Sequence, residues 1–194
     1  MRDGQATRSR IHQAALDLFV SRGVTETSVR DLAQRAGIAE GTLYRHYASK
    51  DDLVADLFAS NYAAFARRLR ERDHPSLPLR QRLSAVVSEI FCFHDAEPTL
   101  FRFLLLVQHQ ALPRMAEGHD NPVSVLQQMI EDALAKGEIP ALDPALATAM
   151  VLGLILQPAT ALVYGNLSAP LSRHAPDIVA ACWRVLSQTE IENG

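Results

Sequence analysis

Four polar side chains between Glu40 and Tyr47 are of the types that donate hydrogen bonds to phosphates and reach the edges of bases. They supply a hydroxyl, a phenol, a guanidinium and an imidazole, in the order Thr42, Tyr44, Arg45 and His46. If this segment is a helix, Leu43 and Tyr47 share its buried face because they are four residues apart, and the polar set turns partly or wholly outward. Gly41 has no Cβ and lets the backbone approach another surface closely. These residues predict binding in the major groove of a nucleic acid.

The segment before it, from Ser28 to Ala36, has the pattern of a short amphipathic helix. Its apolar residues recur at the spacing i, i+3, i+4 and i+7, which aligns one inward face: Val29, Leu32, Ala33 and Ala36. Ser28 and Asp31 offer a hydroxyl cap and an acid in the first turn. Gly37 ends the helix, since glycine adopts the left-handed conformation without a steric clash. Two such helices, joined by three residues, predict a helix-turn-helix.

This helix-turn-helix resembles the DNA-binding domain of the TetR family of bacterial transcriptional regulators. The resemblance lies in the string GTLYRHYASKDDL and in the preceding strings SVRDLAQRAGI and AALDLFVSRGV, and it covers roughly residues 7 to 58. It implies DNA contacts from Thr42, Tyr44 and His46, from Lys50 at the start of the next helix, and from Arg30. With the other residues of the outward segment, the predicted DNA-binding set is Arg30, Gly41, Thr42, Tyr44, Arg45, His46, Tyr47 and Lys50.

Two residues depart from the family's pattern at the start of the second helix. Ala39 stands where many members have a serine or threonine cap, and Glu40 brings a negative charge to a position that is often neutral or basic. The Glu40 carboxylate can accept from a cytosine amino group or interact with the helix dipole. The base preference therefore stays open.

The composition is that of an ordinary soluble globular protein, with 194 residues, 48% of them hydrophobic and 21% charged. Residues 1 to 50 contain eight Lys and Arg against five Asp and Glu, whereas the remainder contains eleven against seventeen. This asymmetry is expected if only the first part meets a polyanion. Two cysteines are too few for a disulfide framework, and no apolar stretch follows the first arginines. We therefore expect a cytoplasmic protein without a secretion signal.

The rest of the chain predicts an all-α fold with no strand pattern. A first helix spans 7 to 22, and Arg8 and Arg10 near its start are either a phosphate-binding arm or solvated surface charges. A fourth helix runs from about 49 to 72 and links residues 1–52, the predicted three-helix DNA-binding domain, to residues 53–194, a helical effector-binding and dimerisation domain. Further helices are predicted, between Pro and Gly breaks, at about 79–95, 98–112, 121–136, 143–166 and 174–188.

The second domain has no residue pattern that indicates catalysis. Its histidines and cysteines have no metal-ligand spacing, and no phosphate-binding glycine loop is present. We expect no enzyme activity, no cofactor and no metal. The family resemblance implies a pocket here for a small molecule, although Phe and Leu at helical spacing are more often plain core. The candidate ligand-binding residues are Phe91, Phe101, Leu105, Gln108, His109 and Met129.

The segment from Pro144 to Ser172 contains no charged residue and reads either as a membrane span or as a helix buried partly by a second subunit. Gln157, Pro158 and Asn166 interrupt it, and Pro158 should kink a helix. The resemblance implies that the last two long helices pair with their copies across a twofold axis. We therefore expect a homodimer and no membrane association.

The function predicted is that of a homodimeric, ligand-responsive DNA-binding transcriptional regulator, most simply a repressor released from a palindromic operator by a small apolar effector. Twofold symmetry would bring two recognition helices to two half-sites of double-stranded DNA. One alternative is a helical small-molecule-binding protein without sequence-specific DNA readout. Another is a membrane-associated protein.

Overall fold

A computed structural model describes residues 2–112 and 121–188. Over these residues the chain is helical and contains no strand, which confirms the predicted all-α fold. The first four helices are α1 (Arg2–Arg22), α2 (Val29–Ala36), α3 (Glu40–His46) and α4 (Lys50–Arg72). They are followed by α5 (Leu79–Ala96), α6 (Pro98–Ala111), α7 (Pro122–Ala135), α8 (Pro144–Val163), a 3₁₀ helix (Leu171–His174) and α9 (Ala175–Ser187).

The chain forms two compact units. The first comprises Met1–Asn61 and Thr99–Glu117, and the second Tyr62–Pro98 and Gly118–Gly194. The first unit extends beyond the predicted segment 1–52, because the early turns of α4 bury Leu53 and Leu57 in it and because Phe103 of α6 stacks on Phe19 of α1 at 6.2 Å between ring centroids. The division at residue 52 stays a prediction.

The core of the first unit is made by the apolar stripes of its helices. Its fully buried side chains include Ile11, Leu32, Leu43, Leu53 and Phe58. Since α2 and α3 are only eight and seven residues long, they are too short to be stable alone. Packing of α2 against α1 and of α3 against α2 is therefore what holds the helix-turn-helix in place.

In the second unit α5 contacts α7, α8, α9 and the 3₁₀ helix. Hydrogen bonds of charged side chains hold both ends of α5. At the start, the buried Arg82 binds Asp73 through two bonds of 2.6 and 2.8 Å and reaches Asp132 at 3.0 Å. At the end, Asp95 accepts from the main-chain N–H groups of Leu171 and Ser172. These bonds tie α5 to the other elements of the unit.

The predicted helices are found with small shifts in their bounds, except at the N-terminus. There α1 begins at Arg2, five residues before the predicted start. The Arg8 guanidinium binds Asp56, and a phosphate contact by Arg8 stays a prediction. In the second unit, α8 continues through Pro158 to Val163.

Candidate nucleic-acid interface

The helix-turn-helix starts at a capping box that the sequence predicted. The Ser28 hydroxyl accepts from the Asp31 N–H at 3.1 Å, and the Asp31 carboxylate accepts from the Ser28 N–H at 3.0 Å. The Ser28 hydroxyl also donates to the Asp31 carboxylate, and this bond, together with the one from the Ser28 N–H, lowers the pKa of Asp31, so it stays ionised at the positive end of α2. At the other end Gly37 has φ 64°, and Ile38 N–H reaches back to the Ala33 carbonyl at 3.0 Å. This cap turns the chain sharply into α3.

Two anchors hold α3 to the rest of the domain. Leu43 is fully buried, and Tyr47, directly after the helix, is 7% exposed. Tyr44 lies on the other side and is 53% exposed, an unusual state for a large aromatic side chain. Of the remaining predicted contacts, Arg30, Gly41 and Arg45 are exposed, and Thr42, His46 and Lys50 are half-buried.

The outward side of α3 is partly ordered by its own side chains. Arg45 donates from Nη2 to the Thr42 hydroxyl at 3.1 Å. At the N-terminus, Ala39 has φ −73° and ψ 148°, a capping conformation, but it makes no side-chain cap bond. The departure that the sequence indicated at Ala39 therefore leaves the first N–H groups of α3 without a side-chain acceptor at this position.

The ammonium group of Lys50 is directed at the turn between α1 and α2. It donates to the carbonyl oxygens of Val24 at 2.7 Å, Thr27 at 2.8 Å and Thr25 at 3.4 Å. An ammonium has three N–H donors, so these carbonyls occupy all of them. A phosphate contact by Lys50 stays a prediction, and it would require the side chain to leave one of these acceptors.

A polar cluster beneath α3 was missed by the sequence interpretation. The Tyr47 hydroxyl lies 2.6 Å from His12 Nε2, 2.8 Å from Asp56 Oδ2 and 3.1 Å from Arg8 Nε. Arg8 also donates to both oxygens of Asp56 at 2.7 Å. The only signal in the sequence was that Arg8 and His12 are four residues apart in one helix, which aligns them but does not reveal their partners.

The surroundings of this cluster perturb the ionisation of its members. Burial raises the pKa of Tyr47 to about 12 and lowers that of His12, in spite of the nearby carboxylate. Burial would raise the pKa of Asp56, but hydrogen bonds from Arg8 and Tyr47 outweigh it and the pKa is lowered. At neutral pH the cluster therefore contains a neutral phenol, a largely neutral imidazole and an Arg–Asp ion pair.

The candidate ligand-binding residues are distributed over both units. Phe91 and Met129 are fully buried in the second unit, and Phe101 is buried in the first. On α6, Leu105 and Gln108 are half-buried and His109 is exposed. Their contact with a ligand stays a prediction. Within residues 2–112 and 121–188, no group of three His, Cys, Asp or Glu side chains is placed to hold a metal ion.

One helix of the described chain, Pro144–Val163, has the length and the mean hydropathy, 1.9, of a membrane span. Only 28% of the most apolar part of this helix is buried within the described chain. Leu146 is 54% exposed, and Tyr164, which follows the helix, is 69% exposed. A large apolar surface on α8 therefore has no cover from the chain's own described residues.

Comparison with known proteins supports the motif and the fold. Residues 11–57 match the family described as bacterial regulatory proteins, tetR family. The chain is 26% identical over 164 residues to the fatty acid metabolism regulator protein of Bacillus subtilis (strain 168), covering 80% of this chain and 83% of that protein. It is 28% identical over 176 residues to the HTH-type transcriptional regulator SrpR of Pseudomonas putida, covering 85% and 77%.

Solved structures have the same fold. The transcriptional regulator FadR from Bacillus subtilis, in complex with stearoyl-CoA, matches with a TM-score of 0.75 at 22% identity, covering 90% of this chain and 96% of that one. At such an identity the likeness establishes the fold alone. Together with the family match it confirms the resemblance that the helix-turn-helix residues indicated.

Proposed function

Because the chain belongs to the tetR family of bacterial regulatory proteins, whose N-terminal domain it carries at residues 11–57, we propose that it is a homodimeric repressor of transcription. It binds a palindromic operator and is released by a small-molecule effector with an apolar part. The observation that carries the proposal is the outward side of α3, where the exposed Tyr44 and Arg45 stand opposite the buried anchors Leu43 and Tyr47. An exposed aromatic beside a guanidinium is suited to a phosphate-lined groove.

The contacts divide into two kinds. Thr42, near the start of α3, and Arg30, exposed on α2, are proposed to read base edges in the major groove. Tyr44, Arg45, His46 and Lys50 are proposed to bind phosphates, which fix the register on the duplex but carry no sequence information.

The test is binding of the purified full-length protein to the DNA upstream of its own gene, compared with a scrambled duplex of the same composition. Fluorescence anisotropy at near-physiological salt gives Kd and the stoichiometry. We expect selective binding of one or two dimers to an inverted repeat, with a selectivity of about 10³ or more. Equal, weak binding to both duplexes and to a genomic pool of fragments would favour the small-molecule-binding alternative.

The homodimer is proposed from the surface of α8 and α9. One side of α8 is exposed and contains no charged residue. It carries Leu146, Ala149, Gly153 and Gln157. On α9, the half-buried apolar residues include Ile178, Trp183 and Val185. An apolar surface of this kind is typical of a permanent subunit interface. A dimer also explains the function, since two recognition helices read two half-sites.

The effector is proposed to be a molecule with a long apolar chain, and acyl-CoA is the first candidate. The support is the likeness to FadR, which was solved with stearoyl-CoA, and the 26% identity to a fatty acid metabolism regulator. We expect stearoyl-CoA to raise the operator Kd at least about 100-fold, which corresponds to a coupling free energy of about 2.7 kcal/mol. CoA without an acyl chain is the matched control. An unchanged Kd at saturating stearoyl-CoA would exclude acyl-CoA as the effector.

The proposed site of action is the cytoplasm, where the chromosome is accessible. Cys92 and Cys182 are free thiols, and Cys182 is buried, where burial raises its pKa to about 11. A thiol in this state behaves as a small apolar side chain. This chemistry is compatible with a reducing compartment.

A further inference from the structure

The position of α3 depends on few buried side chains of its own. The helix is seven residues long, and Leu43 is the buried residue within it. Burial of Leu43 is favourable but not directional, so by itself it leaves the rotation of α3 about its axis loosely determined. Tyr47, the C-terminal cap residue, adds a second anchor four residues further on. Whatever holds Tyr47 therefore sets the direction in which Thr42, Tyr44 and Arg45 point.

The hydroxyl of Tyr47 is held on three sides. It donates to Asp56 Oδ2 at 2.8 Å and accepts from Arg8 Nε at 3.1 Å. With the proton on Nε2, His12 donates a hydrogen bond to the remaining lone pair of the phenol oxygen at 2.6 Å. The three partners come from α1 and α4, so the phenol oxygen is the junction of three elements. Hydrogen bonds are directional, and those to charged partners are the stronger ones.

From this arrangement we infer that Tyr47 is a positioning residue for DNA readout, and that Arg8, His12 and Asp56 orient the recognition helix through its hydroxyl. None of the three needs to touch DNA. The inference rests on the proposed function for its effect on operator binding, but the geometry it describes belongs to the free protein. In this arrangement Tyr47 orients α3 and does not itself contact the duplex.

The first experiment is Tyr47→Phe in the full-length protein, which removes only the hydroxyl and keeps the buried ring. We expect Kd for the operator to rise about tenfold, because the hydrogen bonds of the hydroxyl to Asp56, Arg8 and His12 are lost together. Kd for the scrambled duplex should rise much less, because phosphate contacts tolerate a loosely oriented helix better than base contacts do. The slope of log K against log salt should also stay unchanged, since no cation contact is lost.

The matched control is Tyr62→Phe, which removes a hydroxyl from a tyrosine of similar burial, 6% exposed, in the second unit. We expect its operator Kd to equal that of the wild type. The active fraction, taken from stoichiometric titration, separates loss of folded protein from loss of affinity. An equal rise of Kd on both duplexes for Tyr47→Phe would assign the hydroxyl to a phosphate and overturn the inference.

A comparison of two substitutions at Asp56 tests the role of its carboxylate. Asp56→Asn retains an oxygen that accepts from the Tyr47 hydroxyl, whereas Asp56→Ala leaves none. We expect Asp56→Ala to lose operator selectivity as Tyr47→Phe does, and Asp56→Asn to keep most of it. The double variant Tyr47→Phe/Asp56→Ala should lose little more than either single variant, because both remove the same contact. Fully additive losses would contradict a shared action through Tyr47.

A measurement without DNA separates this inference from the proposed function. In hydrogen exchange, the amides of α3 should exchange about tenfold faster in Tyr47→Phe than in the wild type, while those of α5 stay unchanged. Unchanged exchange in α3 would overturn the inference whatever the DNA result. A wild type that binds operator and scrambled duplexes equally would instead overturn the proposed function, and the exchange result would still decide the role of Tyr47.

Discussion

The ammonium nitrogen of Lys50 lies 2.7 Å from the carbonyl oxygen of Val24, 26 residues earlier in the chain. Two further carbonyls of the same turn complete its set of acceptors. The first residue of α4 therefore closes the turn that leads into α2, and a side chain that the family resemblance assigns to DNA has a structural partner in the free protein.

Lys50→Ala should lower the free energy of unfolding by about 2 kcal/mol, because hydrogen bonds from a charged donor to the turn are lost. Urea denaturation measures this loss, with the slope of the free energy of unfolding against urea concentration equal in the variant and the wild type. The matched control is Lys136→Ala, the chain's other lysine, which is exposed and, among the described residues, donates to the Pro75 carbonyl. We expect it to cost less than about 1 kcal/mol. Equal losses for both variants would contradict a special role for Lys50 in the turn.

Arg45→Ala should weaken binding to operator and scrambled duplexes alike and should flatten the salt dependence. Loss of one cation from the phosphate contacts lowers the slope of log K against log salt by about 0.9. Arg80→Ala, an exposed arginine of α5, is the control and should leave the slope unchanged. A wild-type slope in Arg45→Ala would show that Arg45 makes no phosphate contact.

Ala39→Ser should stabilise the protein by about 1 kcal/mol, because Ala39 already has the capping conformation and lacks only the hydroxyl. The midpoint of chemical denaturation measures the gain. Ala141→Ser, at an exposed position outside a helix start, is the control and should have almost no effect. A destabilised Ala39→Ser would mean that the start of α3 is constrained by something other than its cap.

Acid should destabilise the cluster below α3. The pKa of His12 is lowered by burial from its ordinary value of 6.5, so the unfolded chain takes up a proton there before the folded chain does. The stability that the neutral His12 contributes is present above pH 6.5, and it is lost as the pH falls from 6.5 toward the lowered pKa of the folded state. Arg8 adds a like charge, and Asp56 compensates only in part.

The free energy of unfolding should therefore fall more steeply from about pH 7 to about pH 5.5 in the wild type than in His12→Gln. The control is His74→Gln, at an exposed position, which should retain the wild-type slope. Parallel curves for wild type and His12→Gln would show that this imidazole does not contribute to the pH dependence.

Gly153→Glu should convert the proposed dimer into monomers without unfolding them. A Cβ at Gly153 meets no atom within 4 Å in the single chain, so the substitution is tolerated there, but it places a charge within the uncovered apolar side of α8. Sedimentation velocity measures the mass. Ser84→Glu, an exposed position of α5, is the control for added charge. A dimeric Gly153→Glu would exclude this side of α8 as the interface.

Local features were predicted well from the sequence. The capping box of Ser28 and Asp31 and the left-handed Gly37 depend on neighbours within a few residues, so their types and spacing are enough to predict them. The burial of Leu43 and the exposure of Tyr44 follow from helical periodicity in the same way. The family resemblance rests on these same local features.

The sequence by itself thus determined the helices, their caps and the outward side of α3, since those depend on contacts between near neighbours. Only the tertiary structure decided the partners of Tyr47, 35 residues from His12, and of Lys50, 23 residues from Thr27. It also placed Arg8 in an ion pair with Asp56, 48 residues away. Such pairs depend on which helices meet and at what angle, and no spacing along the chain encodes that geometry.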